Sequence, residues 1–357
     1  MVVHSSAFQP FNLPTFQPRL PMNFWAEPGP WFCLAPMEEV TDSAFREVVA
    51  SSANPGALRV MFSEFTSADA LCHPLGREKV RHRLLVTDSE KAILRTKGIR
   101  LVAQLWTSRP EKLARVIREV LVPSGDFDGI DLNMGCPVPQ VLKQGAGSAL
   151  IGCPSLATEL ICAAREASSL PVSVKTRIGL ETPDTEAWCR ILLASRPDAL
   201  ILHGRTQSQQ STGLADWDEI GKAVALRNEL SPATRILGNG DVLDLAEAAE
   251  KCRRHQVDGV MIGRGIFANP WLFSPGFSPN RDERFAAFRR HAELFFADWD
   301  EDKNPATLLR FAKIYLKDFT EAAALREAIA KSVEGALGFG PAAMFDVLRR
   351  ELESFES

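Results

Sequence analysis

Cys136 stands in the run Asn133-Met134-Gly135-Cys136-Pro137, directly after an apolar stretch of strand length, Gly129-Ile130-Asp131-Leu132. Pro137, Pro139, Gly145 and Gly147 follow it and interrupt any continuous helix or sheet. A thiol at such a junction is held in a stiff frame and points into the space that the strand ends define. With an ordinary pKa of about 8.5 it is mostly protonated near neutrality, so it can act as a general acid. The plainer role for a cysteine is that of a small buried hydrophobe. What separates the two readings is the company at the other strand ends: Pro36-Met37-Glu38, Ser63-Glu64, Gln104, Lys175 with Arg177, His203-Gly204-Arg205, Asn239-Gly240-Asp241 and Gly263-Arg264. Lys175 also carries a different chemistry, because a desolvated lysine is a Schiff-base nucleophile of the aldolase kind.

Such residues need a scaffold that gathers strand ends on one face. Apolar runs of strand length occur at 31–35, 59–63, 100–105, 129–133, 171–175, 198–203, 235–239 and 258–262. Helical periodicity lies between them, at 111–121, 155–168, 184–195, 216–229 and 242–254. Near-continuous apolar strands alternating with helices predict a parallel sheet covered on its faces. Eight such units over about 250 residues predict an α/β fold, a (β/α)8 TIM barrel, whose active site forms at the C-terminal strand ends. A doubly wound sheet would carry Gly-x-Gly-x-x-Gly after its first strand, and Ala35-Pro36-Met37-Glu38 does not. In barrels the loops after strands seven and eight often hold a phosphate; Gly240 and Gly263 allow close backbone approach and Arg264 adds a charged donor.

The blocks Leu-Ala-Pro-Met-Glu, Ala-Gln-Leu, Asp-Leu-Asn-Met-Gly-Cys-Pro, Gly-Ala-Gly-Ser-Ala-Leu, Val-Lys-Thr-Arg-Ile-Gly, His-Gly-Arg-Thr, Gly-Asn-Gly-Asp and Met-Ile-Gly-Arg-Gly follow one another over about residues 31–275. In type and order they resemble the tRNA-dihydrouridine synthase family. The resemblance implies an FMN-dependent oxidoreductase that reduces the 5,6 double bond of a tRNA uridine, with NADPH as the usual electron source. It implies Cys136 as the proton donor and Lys175 beside the flavin ring and phosphate side. Gln104 would meet the pyrimidine edge of the isoalloxazine, and Pro36, Met37 and Glu38 would edge the flavin bed. His203 would approach the phosphate, and Asn239, Gly240, Asp241, Gly263 and Arg264 would hold phosphate and ribityl. Asn133 and Arg177 would contact the uracil and its nucleotide. A small-molecule flavin dehydrogenase would share the phosphate loops without needing a tail, and a silent RNA-binding barrel would not need Cys136 or Lys175.

The tail is the second half of the reading. After a Ser/Pro/Gly linker, residues 281–299, 304–319, 320–336 and 341–354 have amphipathic helical spacing, which predicts a helical bundle of about 75 residues. The domains expected are thus a poorly ordered extension over 1–30, which holds six prolines, a catalytic barrel over 31–278 and a helical tRNA-binding domain over 279–357. The tail is most similar to the branch of the family acting on position 16 of the D-loop. With a net charge of −4 over 357 residues, RNA binding must rest on a clustered basic face rather than bulk charge. Arg310, Lys313 and Lys317 are spaced to share one helix face, and Arg77, Lys79, Arg81 and Arg83 form a second group. Seven cysteines without a Cys-x-x-Cys pair give no metal site or disulfide framework and, with no secretory segment, point to the cytoplasm. No apolar run is long enough for a membrane, and a monomer is expected.

Overall fold

The eight apolar runs become eight parallel strands: β1 (Trp31–Leu34), β2 (Val60–Phe62), β3 (Arg100–Trp106), β4 (Gly129–Met134), β5 (Val172–Arg177), β6 (Ala199–His203), β7 (Arg235–Asn239) and β8 (Gly259–Ile262). The computed structural model describes residues 23–299, 303–336 and 341–354. Neighbours run β2–β1–β8–β7–β6–β5–β4–β3, and β2 pairs with β3 in register Val60 to Arg100, which closes the ring into a (β/α)8 barrel. A two-residue strand, Thr66–Ser67, adds to the end of β3.

Short helical turns aside, a main helix follows each strand: α1 (Ser43–Ser52), α2 (Asp88–Lys97), α3 (Pro110–Val116), α4 (Pro154–Ala167), α5 (Thr185–Ala194), α6 (Trp217–Leu230), α7 (Leu245–His255) and the single turn α8 (Gly265–Ala268). Their starts are written locally. Asp42 accepts from the Phe45 amide at α1, Thr87 from Glu90 at α2 and Asp244 from Glu247 at α7, each satisfying an otherwise orphaned N–H.

Side chains alternate across the strands. Outward residues such as Ile130, Leu132, Val172, Val174, Leu200 and Leu202 join the helices in the main core. Inward residues split by height. Trp31, Cys33, Val60, Phe62, Val102, Ala199, Ile201, Leu237 and Met261 make a separate apolar plug. Farther along the same strands, toward their C-terminal ends, the inward positions turn polar, and that change creates the site.

The boundary expected at residue 30 moves. Residues 1–22 lie outside the described residues. Residues 23–30, assigned to a poorly ordered extension, instead close the bottom of the barrel: Phe24 and Trp25 are buried in the apolar plug against Trp31. Proline content misled here, because three aromatic rings outweigh it.

Among the described residues four α-helices follow the barrel: α9 (Arg281–Trp299), α10 (Leu308–Tyr315), α11 (Ala322–Ala336) and α12 (Pro341–Ser354). α9 and α10 dock on α1, where Phe45 meets Phe311 and His291 at centroid distances of 5.3 and 5.7 Å. Lys303 reaches back to Asp42 at 2.7 Å and Glu64 at 4.0 Å, and Arg290 pairs with Glu47 at 2.9 Å. The helix expected over 304–319 ends at Tyr315, where Leu316 leaves helical geometry, so Lys317 is not on the face with Arg310 and Lys313. Lys317 donates to the carbonyls of Phe267 and Ala268, and Arg310 contacts the carbonyl and carboxylate of Glu39 at 3.3 and 3.5 Å. Both cations hold the tail to the barrel. Among the described residues Lys313, alone of the three, is exposed without such a contact. Among the described residues no helix is long and apolar enough to cross a membrane.

Candidate active site

A cavity of about 400 Å³ opens at the C-terminal ends of β1 and β5–β8. Pro36, Met37, Lys175, Arg177, His203, Asn239, Gly240, Asp241, Gly263 and Arg264, all expected from the sequence, line it together. Arg205, Gln210 and Ser211, to which no role was assigned, also line it.

Gly240 and Gly263 are needed for different reasons. A Cβ on Gly240, at φ +129°, would lie 2.5 Å from Ala215 Cβ, so a side chain cannot be built there. At Gly263 a Cβ would meet only Ala35 at 3.6 Å and Met37 at 4.0 Å, so the residue keeps cavity space open rather than relieving a clash in the protein.

The field is positive. Lys175, Arg177, Arg205 and Arg264 face one carboxylate, Asp241. Burial and then the neighbouring Arg177 push the Lys175 ammonium down to about 8. Burial takes Arg177 down to about 10. Burial and the same cations put the His203 imidazolium far below its usual range, so the ring is neutral. Lys175 Nζ donates to Asn239 Oδ1 at 3.1 Å, and Asn239 Nδ2 donates to the Met261 carbonyl at 2.8 Å. Arg205, 2% exposed at its side chain, pairs with Asp241 at 2.6 Å and lies 3.2 Å from His203 Nε2, which must accept because arginine can only donate. Asp241 also takes the Ala215 amide at 2.8 Å and Arg264 at 3.2 Å. Burial opposes ionisation of Asp241, but these donors hold its carboxyl below the usual range. Asp241 lines the cavity with the other expected residues, and its carboxylate aims the two arginines there.

Four expected residues do not line this cavity. Cys136 is half-buried beside Phe65, Trp106, Val141 and Ala146. Burial raises its thiol above the usual range, despite the opposing pull of the Val138 backbone, and keeps it protonated at neutral pH. Its carbonyl accepts from both the Ser148 amide and hydroxyl at 3.0 Å, an approach that a side chain on Gly147 would block at 2.5 Å. Gln104, expected against a flavin edge, has no exposed surface; its amide is engaged by Asp131 and Asn133. Asn133, expected on the uracil, accepts the amides of Gly135 and Cys136 at 3.2 and 2.9 Å and so shapes the thiol's loop. Glu38 pairs with Arg83 at 2.5 Å. Arg177 ties the loops together, donating to the carbonyls of Gly135, Thr206 and Gln210 at 2.7, 2.9 and 2.8 Å.

Sequence reasoning gave no role to Asp131, or to Arg205, which it counted only as a polar strand end. The signal was available: each sits two residues before or after a recognised polar residue on an inward strand face, and period two carries both toward the barrel axis.

Residues 33–337 match the family model described as dihydrouridine synthase. The chain belongs to the dihydrouridine synthase family. It is 40% identical over 308 residues to the Bacillus subtilis (strain 168) protein named probable tRNA-dihydrouridine synthase 2, covering 85% of this chain and 90% of that one. A probable tRNA-dihydrouridine synthase of Staphylococcus epidermidis is 40% identical over 310 residues, and one of Staphylococcus aureus (strain COL) 40% over 308, with the same coverage. This dihydrouridine synthase is an oxidoreductase, and the Schiff-base reading of Lys175 falls away.

Proposed function

We propose that this dihydrouridine synthase reduces the 5,6 double bond of a D-loop uridine in tRNA, at position 16, with NADPH as electron source and FMN as the bound flavin. The observation that carries the flavin reading is the uncompensated positive field: four cations face one carboxylate in a cavity of about 400 Å³, and a lysine and an arginine are pushed down by burial. A phosphorylated ligand relieves that field, and the volume lies within the range of ligand sites. The tRNA reading is supported by the names of the relatives, and position 16 only by the likeness of the helical tail.

Arg264 and the amides of Gly240 and Gly263 would hold the phosphate, Asn239 the ribityl chain, and Pro36 and Met37 an apolar bed for the ring. His203, neutral and fixed in tautomer by Arg205, offers its other nitrogen as an uncharged donor. Lys175 supplies positive charge at the ring side. When bound, the flavin supplies a hydride to one carbon of the double bond. Cys136 keeps its proton on Sγ and delivers it to the other carbon, as a general acid whose raised pKa keeps it loaded. Arg310 and Lys313 lie on the tail face offered to RNA, with Lys317 beside them holding that face to the barrel.

The test is Cys136→Ala. The variant is expected to retain FMN and oxidise NADPH, while dihydrouridine in its tRNA, measured by mass spectrometry with position mapping, disappears. Product near the level of the unsubstituted enzyme removes Cys136 from the mechanism. A purified protein that neither carries nor binds FMN removes the flavin reading.

A further inference from the structure

Asp131 is fully buried on the inward face of β4, below the cavity, and does not line it. Its carboxylate accepts from Ser173 Oγ at 2.6 Å and from Gln104 Nε2 at 2.7 Å. Gln104 Oε1 then accepts from Asn133 Nδ2 at 3.0 Å, and Asn133 Oδ1 accepts from the backbone N–H groups of Gly135 and Cys136. The chain of bonds runs from a buried anion to the backbone of the acid.

Each link has a direction, and the directions depend on one another. An ionised carboxylate only accepts, so Gln104 must turn its nitrogen toward Asp131 and its oxygen toward Asn133. Asn133 must then turn its nitrogen toward Gln104 and its oxygen toward the loop. If Gln104 flipped, two NH2 groups would face each other; if Asn133 followed, its nitrogen would confront two N–H donors and the turn before Cys136 would lose its acceptor. Asn133 is fixed from the loop by those two N–H donors, and Gln104 fits between it and Asp131 in one orientation only. Burial pushes the Asp131 carboxyl up to about 6, offset by the Ser173 and Gln104 hydrogen bonds and by Lys175, so above that pH it is the anion.

We propose that Asp131 is a positioning residue: it anchors the buried end of the Gln104–Asn133 relay with a charged acceptor and thereby holds the loop that presents the Cys136 thiol. The proposal rests on the reading of Cys136 as the proton donor for its catalytic meaning. The relay itself is tested without flavin or tRNA.

The test uses the full-length protein at pH 7.5 and two variants. Asp131→Asn can show either oxygen or nitrogen to Gln104, because the Ser173 hydroxyl adapts to both, so the relay loses its charged anchor. Adding Gln104→Glu restores it: the asparagine donates to one carboxylate oxygen, and the other accepts from Asn133. The readout is the rate of iodoacetamide alkylation at Cys136, resolved by peptide mass spectrometry from Cys153 and Cys162, which are exposed elsewhere. Dihydrouridine formation is measured alongside, with FMN content as the control. Asp131→Asn is expected to change the Cys136 alkylation rate and to lower dihydrouridine formation, each by about tenfold, the scale of one charged hydrogen bond. The double variant is expected to return the alkylation rate to within about threefold of the unsubstituted enzyme; dihydrouridine formation and an unchanged FMN content are read in Asp131→Asn only, because the resemblance puts Gln104 at the flavin. An unchanged Cys136 rate in Asp131→Asn overturns the proposal, as does a folded double variant that is no closer to the unsubstituted enzyme than the single. If Asp131→Asn does not fold, the double variant decides alone by the same rate. An unsubstituted enzyme that forms no dihydrouridine would sink the function and leave the relay, read by alkylation alone, standing.

Discussion

Lys175→Met should make the flavin-free protein more stable at neutral pH while weakening its hold on FMN. Folding lowers the Lys175 ammonium from 10.5 to about 8, chiefly by burial and then by Arg177. A base whose pKa falls on folding binds its proton less tightly in the folded chain. The penalty is therefore fully present below pH 8 and is relieved as pH rises from 8 toward 10.5. The drop is equivalent to about 3 kcal/mol. The lysine keeps some solvent contact, and the variant forfeits the bond to Asn239, itself about 1 kcal/mol. A net gain of about 1–2 kcal/mol at pH 7 is expected, shrinking to nothing or reversing by pH 10. Urea denaturation of both proteins, stripped of FMN, at pH 7 and pH 10 measures it; the difference between them cancels groups that titrate in both. A stability difference that does not change with pH refutes the reasoning, as does a loss of more than about 1 kcal/mol at pH 7. FMN titration by fluorescence should show the opposite sign, a dissociation constant raised at least tenfold.

Arg264→Ala should weaken FMN only about fivefold, toward the low end for a charged contact because its side chain is 59% exposed, and should leave thermal melting unchanged; fluorescence titration checks the first and calorimetry the second. Lys303→Met leaves Asp42 and Glu64 buried without their cation and is expected to cost about 3 kcal/mol in urea titrations. Asp42, held below its usual range mainly by Lys303 against the opposing effect of burial, contributes stability above its unfolded pKa that disappears as pH falls through its folded value, so the Lys303→Met deficit should narrow in acid. Lys313→Ala with Arg310→Ala should lower tRNA affinity and flatten its salt dependence in gel-shift titrations, whereas Lys317→Ala should lower melting temperature with little change in salt slope; equal slopes for all three proteins would remove this face from RNA binding.

The fold and one end of the cavity were both readable from the chain. Strand boundaries at β1–β8 fall within two residues of the apolar runs, because buried parallel strands have no polar face to blur their limits. The residues after β6, β7 and β8 were readable because chain order places them side by side. The other end of the site was harder. Gln104, Asn133 and Asp241 are polar residues at the right strand ends, yet their side chains serve other side chains or the backbone. Sequence position tells which face a residue occupies; it does not tell whether its hydrogen bonds are already taken. Lys317 shows the same limit at the level of one helix, whose early end at Leu316 depends on packing against the barrel.

The docking of the tail on the first βα loop bears on how such enzymes can be recombined. Asp42, Glu64 and Glu39 on the barrel are matched to Lys303 and Arg310 on the tail. Pro36 and Met37, one turn of chain earlier, form a wall of the cavity. A relative's tail grafted here without a cation at position 303 would strand two buried carboxylates next to that wall. Deleting the tail would bare the Phe45 face as well. The two halves are therefore heritable as a pair: a change of RNA preference by exchange of tails must carry the loop between β1 and α1 with it.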